Sequence, residues 1–294
     1  MKKKIISVIV GVAGLTMAYF LASGISHIIY NRPTDNAAGA ETESTTDSAV
    51  QGTEEAKSAM TEDEINEMLA GMKTTETAET ETATEEQSEV IPVKFEELQA
   101  VNPDVYAWIT VPGTDIDYPI LQHASDNSYY LMHNIDGSYG YPGCIYTENM
   151  NSKDFTDNNT VIYGHNMKNG SMFAQLHKFE DPDFFDANRE VVIYLPGEVL
   201  HYTIFAAHIY DDRHLLYSFD FTNPEVYQKY LDSIFSTRDM SANIDKDITV
   251  TTDNQIITLV TCIGSQPNNR LLVQAVLTDR ELGAETALAA AATE

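Results

Sequence analysis

The sequence predicts a mainly β domain, a barrel or sandwich of eight or nine short strands, set behind a long acidic segment. Three observations lead there. From about residue 91 onward, short β-branched and aromatic runs recur, separated by Pro-Gly, Asn-Asn or Asp-Gly. Only brief stretches of that region have apolar residues at helical spacing. Before it, residues 32–90 are rich in Thr, Glu, Ala and Ser with almost no aromatics, and such a segment cannot bury enough apolar surface to offset its ordering entropy.

The chain of 294 residues begins Met1-Lys2-Lys3-Lys4 and continues with an apolar run over 5–30 that holds no Asp, Glu, Lys or Arg. A span of about 20 residues crosses a bilayer, and lysines ahead of it predict a cytoplasmic N-terminus and an external body. A cleaved signal peptide, with a weak small-residue site at Ala22, Ser23 and Gly24, is the competing reading; the length of the run favours a retained anchor. The expected organisation is a cytoplasmic tail (1–4), a transmembrane anchor (5–30), an acidic disordered spacer (31–90), a folded domain (91–280) and an Ala-rich tail (281–294). Residues 35–90 hold sixteen Asp and Glu against two Lys, half of the net charge of −28. This balance, with no basic patch, argues against nucleic-acid binding. Inside the spacer, 61–72 opens with a capping box and places Ile65, Met68 and Leu69 at helical spacing. That reads as a marginal solvated helix, with a partner-binding helix as the alternative.

In the folded region a helix is expected over 94–101, with Phe95 and Leu98 on one face. Strands are expected at 107–110, 118–122, 143–147, 160–164, 191–195, 202–210, 248–251, 256–262 and 271–278. Helical candidates lie at 171–179 and 224–235; Pro224 suits a first helical position, and Val226, Tyr230, Leu231 and Ile234 fall near one face.

The two cysteines form no disulfide framework. Cys262 ends one apolar run and Arg270 begins the next after a short polar loop, so the two are expected on neighbouring antiparallel strands. A thiol beside a fixed positive charge is a candidate nucleophile, and a guanidinium has the donors to hold an oxyanion; a buried strand cysteine is the bland alternative. Cys144, inside an apolar run with no cation nearby, reads as core. Cysteine chemistry also needs a proton carrier. Of eight histidines, His165 stands out: a strand runs into Gly164, and the histidine follows at the strand end, where side chains project into clefts. No His or Cys has zinc-ligand spacing around either cysteine, and Asp115, Asp117 and Asp126 read as solvated or capping groups in turns, so no metal is expected.

Three segments carry a resemblance. Residues 258–262, TLVTC, followed by Arg270, match the TLxTC…R signature of sortases; 159–176, NTVIYGHNMKNGSMFAQL, and 102–131, with NPDVYAWITVPGTDIDYPILQ, are similar to class B sortases. The similarity covers about residues 92–280. It implies an eight-stranded sortase-type β-barrel with an N-terminal helix and a helix in the insertion between strands six and seven, where 224–235 falls. It implies His165, Cys262 and Arg270 as the catalytic residues, and Val260, Thr261, Ile263 and Gly264 beside the substrate, with no cofactor. Val260 stands where class B enzymes often carry Ser, and the 263–269 loop is short for some members.

The function implied is that of a membrane-anchored cysteine transpeptidase of Gram-positive bacteria. It would cleave an NPQTN-like or LPXTG-like sorting signal of secreted proteins after Thr and pass the thioacyl group to a peptidoglycan-precursor or pilin amine outside the cell. A cysteine endopeptidase without transfer and a catalytically silent surface-binding module are the alternatives. A papain-like enzyme is disfavoured because His165 precedes Cys262.

Overall fold

The computed structural model describes residues 60–73 and 91–283. In chain order they form helices α1 (Glu62–Gly71) and α2 (Phe95–Val101), then strands β1 (Val105–Thr110), β2 (Asp117–Leu121), β3 (Ile145–Thr147) and β4 (Asn159–Tyr163). Helix α3 (Pro182–Ala187), strands β5 (Glu190–Leu195) and β6 (Glu198–Asp211), and helices α4 (Leu215–Ser218) and α5 (Pro224–Phe235) follow. The chain closes with β7 (Asn243–Ile244), β8 (Ile256–Ile263) and β9 (Gln266–Leu282). Two 3-10 segments, Tyr129–Leu131 and Phe173–Glu180, lie in the connections.

The strands run in the order β5-β1-β2-β3-β4-β8-β9-β6, and β5 also pairs with β6. This closes the expected eight-stranded barrel, with β2–β3 and β4–β8 parallel and the remaining contacts antiparallel. The two-residue β7 is an addition to β6. Alternation within each strand sorts apolar side chains to opposite faces. Ile257 and Leu259 of β8 point into the barrel core with Ile109, Ile145, Ile162 and Val273, whereas Ile256 and Val260 join Val161 and Leu272 under α5.

Helix α5 has the bounds that its sequence predicts. Asn223 caps it by accepting from the N–H groups of Glu225 and Val226, and Pro224 occupies the first turn, where no N–H partner is needed. Its buried stripe is Tyr227, Tyr230, Leu231 and Ile234, so Tyr227 takes the place expected of Val226. The strand expected at 248–251 is absent, and Asn243–Ile244 pairs with Ala206 and Ala207 instead. Asp245 bonds to Phe205 through its N–H and ion-pairs with Arg189, which turns the chain away from the sheet. Ile248 and Val250 are apolar because they pack beneath α5.

Helix α1 departs from the solvated helix expected within the spacer. Its capping box between Thr61 and Glu64 is complete. Ile65 and Leu69 are buried in a cluster with Phe95, Leu98, Val105 and Trp108 on the outer face of the barrel. Beyond its end, Lys73 pairs with Asp117 at 2.6 Å, and Glu62 accepts from Asn169 and Ser171 at 2.9 and 2.8 Å. Charge hides this docking in the sequence, since only Ile65 and Leu69 are buried, with Met60, Met68 and Met72 partly buried beside them. Leu69→Ala is expected to lower the unfolding free energy by about 2 kcal/mol, read from the urea midpoint at unchanged slope. A solvated helix would lose less than about 0.5 kcal/mol.

Among the described residues no helix is long and apolar enough to cross a membrane. The anchor expected over 5–30, the cytoplasmic tail and residues 284–294 of the Ala-rich tail expected over 281–294 lie outside them, while Glu281 and Leu282 belong to the end of β9.

Candidate active site

Strand β8 carries Cys262 to the rim of the barrel, where its side chain is exposed. Antiparallel pairing sets it opposite Arg270 of β9, as expected, with a register shift just after Cys262. The hairpin is tighter than its sequence reads. Only Gly264 and Ser265 form the turn, and β9 starts at Gln266. The polar run 266–269 looks like a loop because this end of β9 stands in solvent and needs no apolar face.

Arg270 does not reach into open solvent. Its Nη1 donates to the carbonyls of Pro267 and Asn269, both at 2.9 Å, which anchors the guanidinium to its own hairpin. The remaining Nε and Nη2 hydrogens belong to the same rigid five-donor fork.

His165 arrives from the other side. Strand β4 runs parallel to β8 with Tyr163 beside Val260. The Gly164 N–H then donates to the Val260 carbonyl at 3.1 Å, and the Thr261 hydroxyl donates to the Gly164 carbonyl at 2.9 Å. The histidine therefore leaves the sheet next to the end of β8. Its Nε2 bonds to the Leu131 carbonyl at 2.7 Å, so this nitrogen carries a hydrogen, and Tyr141 stands edge-on at 5.1 Å between ring centres. The Phe173 N–H closes the following loop onto the His165 carbonyl at 3.0 Å. Gly164 serves close approach: a Cβ there would lie 2.5 Å from Ile145 and 2.6 Å from Phe173.

The other expected site residues divide by burial. Val260 packs under α5, Thr261 is 2% exposed with its hydroxyl engaged, and Ile263 belongs to the barrel core. Gly264 is exposed with open space around it. Cys144 is buried as expected; its thiol donates to the His133 carbonyl, and burial pushes its pKa up. Burial first, then the neighbouring Glu148 and Cys262, push the pKa of the Tyr146 hydroxyl up.

Two residues at the site escape sequence reasoning. Asn166 Nδ2 donates to the Cys262 carbonyl at 2.9 Å, and His177 Nε2 lies 3.1 Å from the same oxygen. Asn166 has one linear signal, its place directly after His165. His177 has none; it is delivered by the 3-10 segment whose Phe173, Leu176 and Phe179 are buried. No group of three or more His, Cys, Asp or Glu among the described residues is placed to hold a metal ion.

A closed barrel with an exposed thiol at one strand end, an arginine across from it and a histidine tethered alongside defines a class of cysteine transpeptidases. The Sortase domain family matches residues 109–278, and the chain belongs to that family. It is similar to sortase B of Listeria monocytogenes, 37% identical over 171 residues that cover 58% of this chain and 67% of that one. The structure of Clostridium perfringens sortase B aligns with a TM-score of 0.57 and 34% identity, covering 63% of this chain and 100% of that one. A Streptococcus pyogenes class B sortase involved in pilus biogenesis aligns with a TM-score of 0.54 and 29% identity, covering 63% of this chain and 98% of that one. Within the family the chain is a class B sortase, a cysteine transpeptidase.

Proposed function

We propose that this sortase is anchored in the cell membrane by residues 5–30, with the catalytic domain outside. There it cleaves a C-terminal sorting signal after Thr and joins the protein to a cell-wall or pilin amine. The observation that carries the reading is the exposed Cys262 placed opposite Arg270, with the His165 segment hydrogen-bonded along β8. The Cys262 thiolate attacks the Thr carbonyl carbon, and the oxyanion is met by the Arg270 donors that its own hairpin leaves available. The C–N bond breaks, and His165 gives the leaving amine its proton. The resulting thioester is attacked by the acceptor amine, whose proton passes to His165 as the C–S bond breaks and the thiolate returns. With Nε2 on the Leu131 carbonyl, Nδ1 is the nitrogen left for this exchange.

Of the four residues expected beside the substrate, Gly264 offers an open backbone to the peptide, while Val260, Thr261 and Ile263 are buried and act by holding the strand that carries Cys262. The apolar run over 5–30 and the lysines before it support the anchor and its orientation. Signals of the NPQTN and LPXTG types are the substrate class. The likeness to a pilus-biogenesis enzyme keeps a pilin lysine beside the peptidoglycan precursor as acceptor. A fluorogenic sorting peptide assayed with and without a glycine-based amine tests transfer. The expected result is a conjugate whose yield rises with amine concentration; turnover that ignores the amine and gives only hydrolysed peptide would replace transfer with endopeptidase activity.

A further inference from the structure

Strand β4 ends before β8 does. Along their shared edge the Val260 carbonyl takes the Gly164 N–H, and strand periodicity makes the carbonyl of Cys262, two residues on, the next one to face that edge. By then the chain has left the sheet at His165, so no backbone N–H of β4 meets that carbonyl. Side chains meet it instead. Asn166 Nδ2 donates to the Cys262 carbonyl at 2.9 Å and sits 3.0 Å from His177 Nε2, and His177 Nδ1 lies 3.1 Å from Glu180 Oε2.

His177 Nε2 also lies 3.1 Å from the Cys262 carbonyl oxygen, so both side chains stand against the one backbone acceptor. Asn166 can only donate to that oxygen, whereas His177 either donates to it from Nε2 or, donating from Nδ1 to Glu180, accepts at Nε2 from the second Asn166 hydrogen. A peptide unit is planar and nearly rigid. Holding its carbonyl therefore sets the Cys262–Ile263 plane and the backbone from which the thiol projects, at the point where the β8–β9 register slips.

We infer that Asn166 is a positioning residue for the nucleophile, and that His177, which stands against the same carbonyl and is held by Glu180, positions it alongside Asn166. The device also ties the two halves of the chemistry together, because Asn166 follows His165 directly and bonds to the residue bearing the thiol. This rests on the reading of Cys262 as the nucleophile.

The test compares variants of the whole chain for kcat and KM on a sorting peptide with amine, for thermal midpoint, and for capture of the thioacyl adduct. Asn166→Asp keeps the shape and removes both donors; it is expected to lower kcat ten- to a hundredfold, since a displacement of about 1 Å at a reacting group costs on that order. KM is expected to stay within about twofold, the signature of a group that acts on the reacting geometry and not on substrate affinity. The midpoint is expected to move by less than about 3 °C. His177→Gln, whose amide can still meet both Asn166 and the Cys262 carbonyl, is expected to keep wild-type kcat within about threefold, while His177→Leu loses about tenfold. Wild-type kcat in Asn166→Asp, or His177→Gln no better than His177→Leu, overturns the inference. Should Asn166→Asp fold poorly, the His177 pair decides alone. Turnover retained by Cys262→Ala overturns the underlying reading instead, whereas an inactive Cys262→Ala beside a fully active Asn166→Asp removes only the positioning role.

Discussion

Cys262→Ala is expected to abolish thioacyl formation and to lower kcat/KM by about 10⁴-fold or more, because every bond change in the proposed cycle passes through this sulfur. The fold should not notice. The side chain is exposed, so its removal opens no cavity, and its strand is held by the backbone ladder to β9 and by the Gly164, Thr261 and Asn166 bonds. The thermal midpoint is therefore expected to stay within about 2 °C of wild type. Cys144 cannot stand in. Its thiol is buried against the His133 carbonyl, and desolvation disfavours the thiolate that attack requires. Intact-mass measurement after incubation with peptide checks both halves: wild type gains one acyl group and the variant gains none. An adduct on the variant, or turnover above about 1% of wild type, would contradict the assignment.

What the sequence made legible follows from how locally each feature is encoded. Helix α5 could be bounded to the residue because Asn223, Pro224 and an apolar stripe all lie within one continuous segment. Cys262 and Arg270 could be placed opposite each other because one hairpin carries both. His165 could be singled out because a strand and a glycine mark its position. The features that escaped depend on partners distant in sequence. Ile248 and Val250 have strand-like side chains, yet their burial comes from α5 and not from a ladder. The helix over Glu62–Gly71 looks solvated until Phe95, Leu98 and Trp108 are brought against Ile65 and Leu69. The role of Asn166 and His177 exists only because β4 stops where the edge of β8 still has a carbonyl to satisfy. No pattern inside either segment records that.

Gly164→Ala is expected to damage stability and turnover together, and the reason is packing, not backbone conformation. Gly164 lies outside the positive-φ region, so alanine meets no intrinsic strain there. The added methyl would stand 2.5 Å from Ile145 Cδ1 and 2.6 and 2.7 Å from two ring carbons of Phe173. Both neighbours are fully buried, so neither can swing into solvent, and the barrel wall must shift instead. Overpacking of this kind costs about 1–3 kcal/mol, a fall in thermal midpoint of roughly 3–10 °C for a domain of this size. The Phe173 N–H is bonded to the His165 carbonyl, so a displaced Phe173 carries the histidine with it. A loss of kcat of about tenfold is expected even where the protein is fully folded. Ile145→Val removes the Cδ1 carbon that the new methyl would meet first. Combined with Gly164→Ala, it is expected to recover part of both losses, a non-additivity of about 0.5–1 kcal/mol in the double-mutant cycle. Strict additivity would mean that the two groups do not collide. Wild-type turnover in a destabilised Gly164→Ala would mean that Phe173 moves without moving His165. In the absence of both outcomes, this glycine couples the packing of the barrel wall to the position of the proton carrier.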